Sequence, residues 1–396
     1  MKTLLLAWLA VLAIGPTLST AAAPSGSQVI GTELVSQALQ GNRIGIDPKR
    51  TVMVYLPRGY DRSTQAYPVI YHFHSIFWSS PQMFEPDGAQ AVFDRAVTSG
   101  TIGDFILVAA DFTTPHVGTF YGNSETTGRW LDFISDELVP FIDRTYRTLP
   151  TRESRGLSGD LLGGHAALKL AMLHPEQFSA VYALHPVGTG KGLVPLATRV
   201  DWRKINRAKS WADLEGDVFA QVFVTMAQAY LPNPDRPPFY CDFIFELKED
   251  TLVLNPRHEE QLVSTFFLDQ LLKQHADALR QMSGIAFDWG RYDPNQDHVY
   301  ANQSFTRELD LAGIEHFAEE YRGAAYDKNW IAHGRVEDRL LPFFGRHLKF
   351  APTSREAGHH QDAGNAWVDK CVPGVASTHP ALPTCGRSAG RGGPAF

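Results

Sequence analysis

Three glycines bracket a pair of leucines in Gly159-Asp160-Leu161-Leu162-Gly163-Gly164, at the point where a short strand-like run, 154–158, gives way to a helical one. Glycines in that arrangement serve a backbone that is both bent and crowded, so the chain must pass there from a buried strand directly into a helix. A tight strand-to-helix turn of this kind belongs to parallel sheets with helical crossovers, and it narrows the fold to alternating α/β architectures.

The flanking segments repeat that alternation. Strand-like runs at 51–56, 68–74 and 105–111 are separated by a helical stretch at 91–98, and are followed by one from Trp130 to Tyr146 whose Leu131, Ile134, Leu138, Phe141 and Ile142 recur at helical spacing. The helix after the glycine turn stops at Pro175, and strands are expected at 180–185, 285–289 and 315–321, with helices at 302–312 and 336–348. Between about 186 and 284 the alternation lapses into tryptophans, a proline cluster and a helix over 258–282, which reads as an inserted cap. The fold class is therefore α/β: a mostly parallel, doubly wound sheet with helices on both faces and a cap, filling 28–350. Residues 351–396 read as an irregular C-terminal tail.

Lys2, the apolar run Leu4 to Ile14 and the small residues Ala21-Ala22-Ala23 have the layout of a signal peptide over 1–23, which predicts a secreted or periplasmic protein. No later apolar stretch reaches the roughly 20 residues of a membrane helix, so no membrane insertion is expected. A net charge of -7 with both signs interspersed offers no basic stripe for nucleic acid. Of the three cysteines, Cys371 and Cys385 are plausible disulfide partners in an oxidising compartment, whereas Cys241, among Phe239, Tyr240 and Phe243, reads as a buried inert thiol.

Several motifs in order carry a resemblance: Val54-Tyr55-Leu56-Pro57-Arg58-Gly59-Tyr60-Asp61, Asn123-Ser124, Gly128-Arg129-Trp130, Glu137-Leu138-Val139-Pro140-Phe141-Ile142-Asp143 and Tyr146-Arg147-Thr148. Over roughly 45–350 the chain resembles the esterase D-like family of α/β-hydrolases, which implies the α/β-hydrolase fold and a Ser-His-Asp/Glu triad. Counting from Tyr146 to Gly163-Gly164 places the family's serine at Leu161 and its oxyanion amide at Leu162. The family's Gly-x-His after the last strand falls on Gly323-Ala324-Ala325, so Ala325 stands at the histidine position. Asp293 matches the acid, with Asp297 as a near alternative. A leucine cannot attack a carbonyl, and an acid without its histidine has no partner to orient.

The resemblance thus implies a pseudo-esterase that keeps a pocket for a small acyl or aromatic ligand, with Leu162, Ser75, Ile76, His74 and Trp78 around it. One alternative is an active ester hydrolase with Ser158 as nucleophile, His333 or His185 as base and Asp293 as acid. Another is acid/base or metal chemistry by His74, Asp160 and His185 at the ends of the strands, where open α/β sheets bind ligands. His72 and His74 are two apart on one strand, a spacing that can seat metal ligands with Asp111 or His185. The preferred reading has His74 anchoring a loop, Asp160 held by amides near a helix start, His165 packed beside Tyr71 or Tyr121, and no metal or cofactor.

Overall fold

The computed structural model describes residues 26–192 and 199–351. The expected signal peptide over 1–23, all but the first residue of the expected tail, and the pair Cys371 and Cys385 lie outside the described residues. An eight-stranded sheet organises the rest: β1 (Gln28–Val35), β2 (Lys49–Leu56), β3 (Val69–Phe73), β4 (Ile106–Ala110), β5 (Arg155–Asp160), β6 (Ala180–Leu184), β7 (Gly284–Gly290) and β8 (Phe317–Tyr321). Their spatial order is β1-β2-β4-β3-β5-β6-β7-β8. β2 runs antiparallel to both β1 and β4, and every pair from β4 through β8 is parallel. Strand order reverses at β3, which lies between β4 and β5, so the chain leaves β3 and β5 in opposite directions and opens a crevice beyond their carboxyl ends.

Alternating side chains build two cores. Along β6, Val181 and Ala183 join the larger core under α2 (130–145) and α3 (Leu162–Leu173). Ala180, Tyr182 and Leu184 face the other side, against α1 (Ala89–Thr98) and the terminal turns Val336–Leu340 and Leu341–His347. Both faces of the strands are covered, which is why they read as continuous apolar runs. Tyr182 also donates its hydroxyl to Asp288 of β7, a fully buried carboxylate that the Arg335 guanidinium meets at 2.7 Å.

Between β6 and β7 the described chain forms α4 (Trp202–Arg207), α5 (Val218–Tyr230), a hairpin of Phe245–Lys248 with Thr251–Leu254, α6 (Pro256–Phe266) and α7 (Leu268–Arg280). The helix expected over 258–282 is broken: Phe267 is extended at φ −72°, ψ 131°, and the next two amides turn to the Gly188 and Thr189 carbonyls. Hydrogen bonds outside the helix thus outweigh its continuity. β1 carried no strong sequence signal, because it is an edge strand whose residues are only half-buried or exposed. Among the described residues no helix is long and apolar enough to cross a membrane.

Candidate functional site

Leu161 is the only residue between β5 and α3, and its backbone sits at φ 47°, ψ −106°, a region that side-chain-bearing residues rarely occupy. The surrounding contacts impose it. A Cβ on Gly163 would lie 1.9 Å from the Phe73 carbonyl oxygen, and one on Gly159 would lie 2.4 Å from the Gly163 carbonyl carbon, so only glycine lets α3 close against the end of β3. Leu161 N–H donates to the Leu184 carbonyl at 3.0 Å, and its own carbonyl accepts from His165 N–H at 2.9 Å. The amides of the first helical turn, beginning at Leu162, have no acceptor within the helix and carry the positive end of its dipole.

The turn forms part of the floor of a cavity of about 470 Å³. Ser75, Ile76, Leu161, Leu162, Asp293 and Ala325 all border it, so the positions expected around a pocket converge on one space. Phe219, Val222, Phe223, Met226, Leu262 and Phe266, from α5 and α6, supply the apolar opposite wall. Asp293 and Ala325 meet there because their loops run side by side: Tyr292 N–H donates to the Gly323 carbonyl at 2.9 Å, and a Cβ on Gly290 would strike the Ala324 carbonyl at 2.4 Å.

Sequence reasoning missed His298, on the first turn of α8 (Gln296–Leu311), which borders the same cavity. Its Nδ1 lies 2.8 Å from Asp293 Oδ2, and His185 Nε2 lies 2.8 Å from that same oxygen. Asp293 Oδ1 accepts the Asn295 amide at 2.8 Å. Burial alone would raise this carboxyl, but the hydrogen bonds from His185, His298 and Asn295 outweigh it and hold Asp293 well below the usual carboxylate range. An ionised Asp293 only accepts, so both histidines donate to it. His185 Nδ1 accepts the Gly290 amide at 2.9 Å, which fixes the proton of the neutral ring on Nε2. The signal available in the sequence was Asp293 followed five residues later by a histidine at a helix start. Neither of the bases expected from the sequence, His333 after β8 and His185 at the end of β6, points to it.

The remaining candidates are placed elsewhere. Ser158 is fully buried in β5, with its hydroxyl 3.1 Å from His72 Nδ1, while His72 Nε2 is 3.4 Å from Asp160 and the other Asp160 oxygen accepts the Asn329 amide at 2.9 Å. This Ser-His-Asp chain lies beneath the turn, with no member bordering the cavity, and it corrects the relocated triad: Ser158 pairs with neither His185 nor Asp293. His333 is exposed, with Nδ1 3.6 Å from Asp338 and its amide donating to Glu337, so its partners are neither Ser158 nor Asp293. Asp160 is held by side chains rather than by helix amides. His74 places Nδ1 2.8 Å from the Ser75 carbonyl and accepts the Phe112 amide on Nε2 at 2.8 Å, so backbone partners use both ring nitrogens.

His165 stacks on Phe266, not on Tyr71 or Tyr121, and bonds the Val187 carbonyl at 3.0 Å. Trp78 packs edge-on against Tyr326 at 5.4 Å and borders the neighbouring groove with His116 and Trp211 instead of the cavity. Cys241 is free and buried, and burial pushes its thiol up.

Among the described residues, His185, Asp293 and His298 have potential ligand atoms within 4.8 Å of one another. The hydrogen bonding disfavours a cation there. With the Gly290 amide on His185 Nδ1, the ring's other nitrogen carries a proton rather than a lone pair, and a metal would have to break that arrangement.

The strand order, the parallel sheet, the strained turn and the inserted helices define an α/β-hydrolase fold. Solved structures agree: a ferulic acid esterase superposes with a TM-score of 0.55 at 20% identity, covering 82% of this chain and 99% of that one. An S-formylglutathione hydrolase from Agrobacterium tumefaciens gives 0.53 at 14% identity over 82% and 96%. Residues 45–220 match the model of the family described as Putative esterase. An endo-1,4-beta-xylanase/feruloyl esterase of Xylanibacter ruminicola is 29% identical over 140 residues, 33% of this chain and 18% of that protein, so this chain spans less than a fifth of that relative.

Proposed function

We propose that the chain is an exported, non-acylating member of the esterase fold that holds a small acyl or aromatic ligand in the cavity between the sheet and α5–α6. The observation that carries this reading is Leu161: an aliphatic side chain with no lone pair occupies the tip of the strained turn and borders the cavity. Ala325, which also borders it, has nothing to offer a proton. A largely carbon-lined space of about 470 Å³ suits a ligand of one ring with a short chain. The feruloyl and ferulic acid esterases among the similar proteins supply a matching ligand class. Export rests on the N-terminal pattern of Lys2 followed by Leu4 to Ile14.

The test uses two probes on the purified protein: a fluorophosphonate, which reports an activated serine, and ferulamide, an uncleaved aromatic amide, titrated calorimetrically. The expected outcome is no labelling together with saturable ferulamide binding, weakened about tenfold or more by Val222→Trp, which fills the wall of the cavity. Fluorophosphonate labelling, or the absence of any ferulamide binding, overturns the reading.

A further inference from the structure

We propose that His298, oriented by Asp293, is a general base that directs a water onto an ester bound in the cavity, so that hydrolysis proceeds there without a covalent enzyme intermediate. This rests on the reading of the cavity as a non-acylating ligand site, and it supplies a reaction for that site.

The two ends of the His298 ring are unlike. Nδ1 is engaged 2.8 Å from Asp293, whereas Nε2 has no protein partner among the described residues, and the residue borders the cavity. Because Asp293 accepts the Nδ1 proton, the lone pair of the neutral imidazole sits on Nε2, the atom left for a water or a substrate. Asp293 is itself fixed. His185 is fully buried and locked by the Gly290 amide, and it donates to the oxygen that His298 also uses, while Asn295 N–H holds the other oxygen. A histidine used only for packing needs neither an ionised buried carboxylate nor a second histidine to hold that carboxylate in place. His298 is thus placed as a catalytic residue, with Asp293 and His185 as positioning residues. The same cavity is bordered by Leu162, at whose helix start the amides attract developing negative charge.

The step balances with water as the co-reactant. His298 Nε2 takes one proton as the water oxygen bonds to the carbonyl carbon, and the carbonyl π pair moves to its oxygen on the side of the Leu162 amide. On collapse the bond to the alcohol oxygen breaks, that oxygen receives the proton from His298, and a carboxylic acid and an alcohol leave. Leu161 contributes only apolar surface. The difference from a triad lies in the attacking oxygen, which belongs to solvent and not to the protein.

Ethyl ferulate hydrolysis by the full chain tests this, read together with ferulamide binding and intact-protein mass during turnover. Wild type is expected to hydrolyse the ester slowly, with no acyl adduct by mass. His298→Gln should lower kcat by about 100-fold or more while leaving the ferulamide Kd within about twofold. Added imidazole should restore turnover to His298→Ala above the buffer control, a result that a folding defect cannot produce. Asp293→Asn should likewise lower kcat more than it changes KM. If wild type binds ferulamide but does not hydrolyse ethyl ferulate, or if His298→Gln turns over at the wild-type rate, the proposal fails and the ligand-binding reading stands. A covalent acyl adduct overturns both.

Discussion

Lys169 lies in α3 with its amine buried against the inserted helices, 2.9 Å from the Thr265 carbonyl, 3.2 Å from the Tyr230 hydroxyl and 4.6 Å from the Tyr230 ring centre. Burial pushes this amine down from 10.5 to about 7. The unfolded chain holds the proton up to pH 10.5 and the folded chain only to about 7, so protonation favours unfolding and stability rises with pH across that interval. The penalty is complete below pH 7 and vanishes above 10.5. At about 1.4 kcal/mol per pH unit, the interval from about 7 to 10.5 corresponds to a ceiling of about 5 kcal/mol. Lys169→Met removes the titration and preserves the packing length, at a pH-independent loss of about 1–2 kcal/mol for the Thr265 carbonyl left without a donor. His165, one turn earlier and pushed down by burial to about 3, stays neutral across this range and does not confuse it. Urea unfolding of both proteins at about pH 6.5 and 9.5 should show the advantage of the methionine variant shrinking by about 3 kcal/mol as pH rises. A stability difference that is flat with pH would refute the argument, since it would mean that the folded lysine keeps an ordinary affinity for its proton.

Gly163→Ala should destabilise the fold by about 3 kcal/mol or more in urea unfolding, because its Cβ would lie 1.9 Å from the Phe73 carbonyl oxygen and the start of α3 would have to move. Arg335→Met should cost about 3–5 kcal/mol by leaving Asp288, which burial raises and Arg335 holds down, uncompensated inside the sheet; Asp288→Asn in the same chain should recover part of the loss. Leu161→Ser combined with Ala325→His should make the protein react with a fluorophosphonate that does not label wild type; a folded double variant that stays unlabelled would show that the two positions are not matched for acyl transfer.

The sheet was legible because each strand is covered on both faces, so apolar runs such as Val69 to Phe73 and Ile106 to Ala110 need no alternating pattern to be noticed. The glycine turn was legible for a steric reason: close approach of backbone to backbone admits no other residue at 159 and 163. Leu161, Leu162, Asp293 and Ala325 follow from counting along these elements. His298 does not: the sequence pairs Asp293 with His185 or His333 as base, and in the folded chain the same Asp293 oxygen meets both His185 and His298, which stands five residues on at the start of α8. The break at Phe267 escaped as well. The acceptors that end one helix and start the next are the Gly188 and Thr189 carbonyls, some 80 residues earlier in the chain.

The geometry at Leu161 is set from below, by glycines pressed onto Phe73 and by the Leu184 carbonyl, and not by anything the leucine side chain does. Its torsion angles are therefore a property of the socket, and different side chains can be mounted there without asking the scaffold to refold. Evolution can exchange one reactive group for an inert one, or the reverse, by a single codon, and the neighbouring histidine and aspartate remain free to take on chemistry of their own.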